Sequence, residues 1–198
     1  MREVLHVGCG SATIAKMPTG FQTGWREVRF DINPNVRPDI IGTITDMTGV
    51  ADESVDAVYS SHNIEHVYPH EVPAVLAEFR RVLKQDGFVV VTCPDLETVA
   101  AHIAQGRLED PLYQSPAGPI CPIDILYGHR AAIAGGETYM AHRTGFTAKT
   151  LQHHAGRANF GSYGVRRRPD AFDLWLLASK ATIEKDRMIA LMADYVRR

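Results

Sequence analysis

The stretch that most constrains this chain is Val4-Leu5-His6-Val7-Gly8-Cys9-Gly10. A short apolar run breaks on two glycines spaced i, i+2. A buried parallel strand ends this way, in a tight turn whose backbone a ligand can approach closely. The run reads as the first strand of a nucleotide-type α/β sheet, with a cofactor across its C-terminal tip. Such turns also occur without a ligand, and Asp31 strengthens the reading. After the glycines come sixteen residues, Ser11 to Arg26, and then a second strand, Glu27 to Ile32. An acid at the tip of that strand can accept hydrogen bonds from ribose hydroxyls. The competing role for Asp31 is a turn residue before Asn33-Pro34, and the pairing of acid with glycines weighs against it.

A chain of 198 residues suits one domain, 1–198, with room for a core. Its net charge of −2 offers no basic field, so nucleic acid is not an expected partner. The N-terminus runs straight into a strand, without the pattern of a signal peptide, and no apolar run reaches the roughly 20 residues of a membrane span. Cys9, Cys93 and Cys121 form no close pair, which fits a reducing, cytoplasmic setting.

Along the chain, Pro18, Gly20 and Gly24 deny the first crossover a long helix. Asp39–Ile44 reads as a third short strand and Val55–Ser61 as a fourth. The clearest helix covers His70–Lys84, with Val72, Val75, Leu76, Phe79, Val82 and Leu83 at offsets 0, 3, 4, 7, 10 and 11. Gly87 is expected to stop it. Phe88–Cys93 reads as a strand buried on both faces, and Pro94-Asp95 opens a further helix. Residues 107–146 form a substrate-facing insertion or lid with a helix over Ile123–Ala134. Thr147 caps a helix to about Ala158. Tyr163–Arg168 and Phe172–Ser179 form an antiparallel hairpin, the first strand at an edge and the second internal. Residues 182–198 form an amphipathic tail helix. Its apolar stripe is expected to pack on its own sheet, with a homodimer contact as the other use.

The phrases VLHVGCG, FDIN, ITDM, SVDAVYSSHNIEHV and AEFRRVLKQDGFVVVTCPD resemble class I S-adenosylmethionine-dependent methyltransferases of the Methyltransferase-11 type. The resemblance spans about residues 4–180. It implies a doubly wound, mostly parallel seven-stranded sheet whose seventh strand inserts antiparallel between the fifth and sixth. It also implies S-adenosylmethionine as cofactor. By matching position, Gly8 and Gly10 would line the methionine moiety and Asp31, with Ile32 beside it, the ribose. Asp46 and Met47 would hold the adenine, and Ser61 and His62 would lie beneath the methionine and methyl. His6 stands where the family often has an acid near the methionine ammonium, and it is counted among the cofactor contacts. Thr13 replaces the third glycine of a GxGxxG. That departure hurts a dinucleotide reading more, since a pyrophosphate needs a helix N-terminus and S-adenosylmethionine does not.

Methyl transfer needs positioning and exclusion of water, with a general base for a hydroxyl or protonated amine. Histidine suits that role, and His66 or His142 is the expected base with Glu65 as orienter. His129, Arg130 and Arg143 are candidate substrate contacts, the arginines for an anionic group, with a lid-locking salt bridge as their competing role. His62-Asn63-Ile64-Glu65-His66 also matches the zinc string H-x-x-E-H, which needs a helix. Here the string leaves a strand and Pro69 follows, so no metal is expected. The expected function is methylation of a small-molecule or glycan-like acceptor. The alternative is a non-catalytic nucleoside-binding or scaffolding module. A nicotinamide-dependent oxidoreductase stands third.

Overall fold

Alternation along the strands decides the architecture. The strands are β1 (Arg2–Val7), β2 (Trp25–Asp31), β3 (Ile40–Ile41), β4 (Val55–Ser61), β5 (Leu83–Pro94), β6 (Tyr113–Ser115), β7 (Gly118–Ile120), β8 (Ser162–Arg168) and β9 (Asp173–Ser179). The helices are α1 (Val72–Val82), α2 (Leu96–Ala104), α3 (Pro122–Tyr127), α4 (Arg130–Ala134), α5 (Ala148–Arg157) and α6 (Lys185–Tyr195). The computed structural model describes residues 1–197, so the last position of the expected tail helix lies outside the described residues.

Seven strands form one sheet in the order β3-β2-β1-β4-β5-β9-β8. The first five pair in parallel; β9 pairs antiparallel to both β5 and β8. This is the doubly wound sheet with an inserted antiparallel strand. β6 and β7 form a separate small antiparallel ribbon that the hydrophobic pattern did not signal.

Successive side chains on a strand face opposite ways, and both faces here are covered. Leu5, Val7, Val58, Val89, Val91, Leu174 and Leu176 pack with Leu76, Phe79 and Leu151 of α1 and α5. Val4, Ala57, Tyr59, Phe88, Val90, Trp175 and Leu177 pack with Phe21, Trp25, Leu191 and Tyr195. Among the described residues, short 3-10 turns at Ile14–Lys16 and Thr19–Phe21 follow β1 on the second face in place of a crossover helix. The C-terminal helix supplies the missing cover, with Tyr195 and Phe21 ring centroids 4.7 Å apart. The tail's apolar stripe is thereby used within its own chain.

Several boundaries differ from the sequence reading. The strand expected over 39–44 shrinks to Ile40–Ile41. The helix expected to reach Lys84 ends at Val82, because Leu83 turns extended and pairs with Val55. Gly87 therefore lies within β5 rather than at a helix end. The helix expected over 123–134 is two helices, broken at Gly128. That residue has φ +96 and bridges to Ala141, a conformation and a closeness that side chains oppose. Thr147 and Thr150 form a reciprocal cap at α5, as the sequence suggests. Cys9, Cys93 and Cys121 are free and buried. Among the described residues no helix is long and apolar enough to cross a membrane.

Candidate active site

The C-terminal ends of β1, β2 and β4 meet at one edge of the sheet, and a cavity of about 500 Å³ opens there. Gly8 and Gly10 both turn with positive φ, +63 and +51. A Cβ on Gly8 would stand 2.5 Å from the Asn63 side chain, so the turn and the end of β4 touch only because Gly8 has none. Asp31 folds its carboxylate back onto this turn. Oδ2 accepts from the Gly10 backbone N–H at 2.7 Å and Oδ1 from that of Asn33 at 2.8 Å. Each oxygen retains a second acceptor position. Arg29 donates to the Gly10, Val36 and Arg37 carbonyls and ties the turn to the next loop.

Gly8, Gly10, Asp31, Ile32 and His62 line this cavity, so the structure brings these five predicted residues together. Asp46 and Met47, expected at the adenine, are not among its lining residues. Met47 is fully buried in the core and its N–H donates to Glu78, while Asp46 accepts from the Thr48 N–H. Gly42, Thr43 and Ile44 take that part of the wall, with Tyr139, Met140 and Arg143 on the opposite side. His6 and Ser61 line a neighbouring cavity of about 400 Å³ on the tail-helix side of the glycine turn. His6 Nδ1 meets Glu27 at 2.7 Å; burial pulls its pKa below the ordinary value despite that carboxylate. Ser61 Oγ pairs with Thr92 Oγ1 at 2.9 Å.

A third cavity, about 480 Å³, lies between the loop after β4, the 113–142 segment and the β8–β9 turn. His62, Glu65, His66, His129 and His142 all line it. His62 lines all three cavities and His66 two. Glu65 is 1% exposed, and neither carboxylate oxygen has a hydrogen-bond donor. His62 Nδ1 stands 3.3 Å from Glu65 Oε1. Burial alone would raise the Glu65 pKa, but the facing His62 outweighs it and holds the carboxyl below its ordinary range. His66 and His142 stack edge to face, centroids 5.0 Å apart. Each donates Nδ1–H to a backbone carbonyl, Ala141 at 3.2 Å and Ile125 at 2.7 Å respectively. That fixes the tautomer and leaves each Nε2 as the free nitrogen.

The three expected substrate contacts separate. His129 lines the third cavity and caps α4 by accepting from the Ala132 N–H. Arg130 is held by Asp124 at 2.7 Å and reaches Glu109, the locking salt bridge rather than a free cation. Arg143 lies over the Tyr68 ring at 4.9 Å and lines the first cavity, away from the third. Sequence reasoning missed Tyr113, Asp124, Arg168 and Asp173 in the third cavity. Arg168 and Asp173 form a two-point pair at 2.8 and 2.7 Å. Arg168 ends the basic run Arg166–Arg168 of the edge strand, and nothing in the spacing of that run distinguishes it.

The first cavity suits an adenosyl group: open glycine backbone on one side, and a carboxylate with spare acceptor positions on the other. The methyltransferase domain profile matches residues 5–91. No curated protein matches the chain. Among solved structures, a S-adenosylmethionine-dependent methyltransferase of Methanosarcina mazei aligns with TM-score 0.57 and 16% identity, over 91% of this chain and 93% of its own. A Burkholderia thailandensis 1,6-didemethyltoxoflavin-N1-methyltransferase, solved with 1,6-didemethyltoxoflavin and S-adenosylhomocysteine, aligns with TM-score 0.55 and 15% identity, covering 90% and 71%. The citrinin polyketide synthase CMeT domain aligns with TM-score 0.58 and 12% identity over 92% of this chain. This chain spans only 47% of that one. At such identities the likeness shows the fold: the chain has the fold of S-adenosylmethionine-dependent methyltransferases, and the part of it that matches the methyltransferase domain profile is residues 5–91.

Proposed function

We propose that the protein methylates a small-molecule or glycan-like acceptor held in the cavity lined by His66, His129 and His142. The observation that carries this reading is the adjoining of two cavities, with His62, His66 and Met140 lining both. A methyl presented from the first cavity would then meet an acceptor in the second, and the wall residues exclude water between them.

Bound S-adenosylmethionine supplies a methyl already activated on a sulfonium, so the chain's residues have mainly to position. Asp31 would accept the ribose hydroxyls, while Gly8 and Gly10 leave room for the methionine part. Ile32, Thr43 and Ile44 would border the adenine. The free Nε2 of His66 or His142 would take the proton of an acceptor hydroxyl or ammonium. Glu65 contacts His62 rather than orienting either of them through a hydrogen bond. Arg168, tied to Asp173, adds polar surface for a hydroxylated acceptor.

The test offers S-adenosylmethionine with a panel of small hydroxylated and amine acceptors and follows S-adenosylhomocysteine. Turnover is expected with some acceptor. His142→Ala, which lines only the acceptor cavity, should lower it on the order of a hundredfold and leave the affinity for S-adenosylhomocysteine unchanged. Binding without any turnover would favour the non-catalytic module, and full activity in His142→Ala would remove the histidine from the reaction.

A further inference from the structure

We infer that Glu65, His66 and His142 form a binding site for a divalent transition-metal cation in the wall of the acceptor cavity. The ligand atoms of these three residues all lie within 4.8 Å of one another. One such cation holds nitrogen and oxygen ligands at about 2.0–2.2 Å, and small side-chain rotations close the remaining distance.

Three independent features of the cluster favour a cation. Glu65 is buried and neither oxygen accepts a hydrogen bond; the half-exposed His62, 3.3 Å from Oε1, faces one oxygen only. A carboxylate taken from water without donors is costly unless a positive charge compensates it. Both imidazoles already donate Nδ1–H to backbone carbonyls. Metal-bound histidines are oriented in the same way, with the other nitrogen presented to the metal. The cluster also lines a cavity of about 480 Å³, which gives a path of entry and leaves coordination positions for water or a bound molecule.

Two imidazoles and one carboxylate suit zinc, iron(II), cobalt(II) or nickel(II) better than magnesium or calcium, which prefer all-oxygen sites. The site is not the one that H-x-x-E-H suggests. In that string both ligating histidines share a helix, whereas here His62 is left out and His142 comes from the distant insertion. His62, half exposed, is the nearest further donor. A cation would use both Nε2 lone pairs, replacing their proton-accepting role and orienting acceptor oxygens instead. That last consequence rests on the methyl-transfer reading; the site itself does not.

Cobalt(II) titration of the metal-stripped full chain, followed by visible absorption and competed with zinc, tests the inference. One cobalt per chain with ligand-field bands is expected. Glu65→Gln, His66→Ala and His142→Ala should each weaken binding by more than the roughly 10- to 100-fold that losing an outer-shell partner costs. A His153→Ala/His154→Ala variant, altering the adjacent exposed-side histidines of α5, should bind as the wild type does. A cooperative thermal unfolding transition and an unchanged far-ultraviolet circular dichroism spectrum report that each variant is folded. If Glu65→Gln does not fold, His142→Ala carries the test. No stoichiometric cobalt in the wild type, or binding indifferent to all three ligand variants, overturns the inference. Because cobalt binding is read without turnover, its failure is separate from a failure of methyl transfer.

Discussion

Gly8 and Asp31 shape the proposed cofactor cavity by different means. Gly8 does so by lacking a side chain. At φ +63, with Asn63 2.5 Å from where a Cβ would stand, alanine is opposed by both conformation and space. The left-handed backbone alone costs about 1–2 kcal/mol. Gly8→Ala should therefore lower the unfolding free energy in urea by at least about 1 kcal/mol and weaken S-adenosylhomocysteine binding. An equally stable variant would mean that the turn can relax. Asp31 works through donors already in place on Gly10 and Asn33. Both residues stand out in the sequence as lining candidates, because a glycine pair and an acid at the tip of the next strand are local signals, and both do line the cavity. Asp46 and Met47 lie outside the cavity lining; the burial of Met47 depends on α1, which the loop's own sequence does not describe.

Among the elements, α1 does more than cover the sheet. Its Glu78 accepts from the Met47 N–H at 2.7 Å and pairs with Arg81 at 2.7 Å. Arg81 in turn donates to the Val50 and Met47 carbonyls and to Asp52. The loop carrying Thr43 and Ile44 to the cavity is thus anchored to the helix at its far end. The Arg81 guanidinium holds the Glu78 carboxyl below its ordinary value of 4.5. A depressed folded-state pKa contributes stability that is present above the ordinary value and lost as pH falls through the folded one. The wild type should consequently lose thermal stability below about pH 4.5 more steeply than Glu78→Gln. At neutral pH that variant should be less stable by roughly 1.5–3 kcal/mol, the range for a hydrogen bond to a charged group. Parallel acid profiles would show that the pair contributes nothing to folding. Element boundaries were harder to read than the elements themselves. Periodicity marked α1 and β5, but the handover at Leu83 is set by pairing with Val55. The break at Gly128 is likewise set by the backbone at Ala141 passing beside it. Both causes lie far off in sequence.

At the scale of the whole molecule, the seven-stranded order and the terminal hairpin followed from the alternation of short strands and from the family resemblance. The covering of the second face by α6 followed only in part: the tail stripe was visible, but not that it replaces a first crossover helix. The cavity proposed for the acceptor was the least legible, because it draws on the loop after β4, the insertion and the β8–β9 turn at once. Histidines at 66 and 142 carry no local sign that they will meet. The cavity between the glycine turn and Asp31 is the proposed binding place of the adenosyl group. Isothermal titration of S-adenosylhomocysteine into the wild type, Asp31→Ala and Asp46→Ala tests it most directly. Tight binding by the wild type, a loss of tenfold or more in Asp31→Ala, equivalent to about 1.4 kcal/mol, and little change in Asp46→Ala are predicted. Undiminished affinity in Asp31→Ala would contradict it.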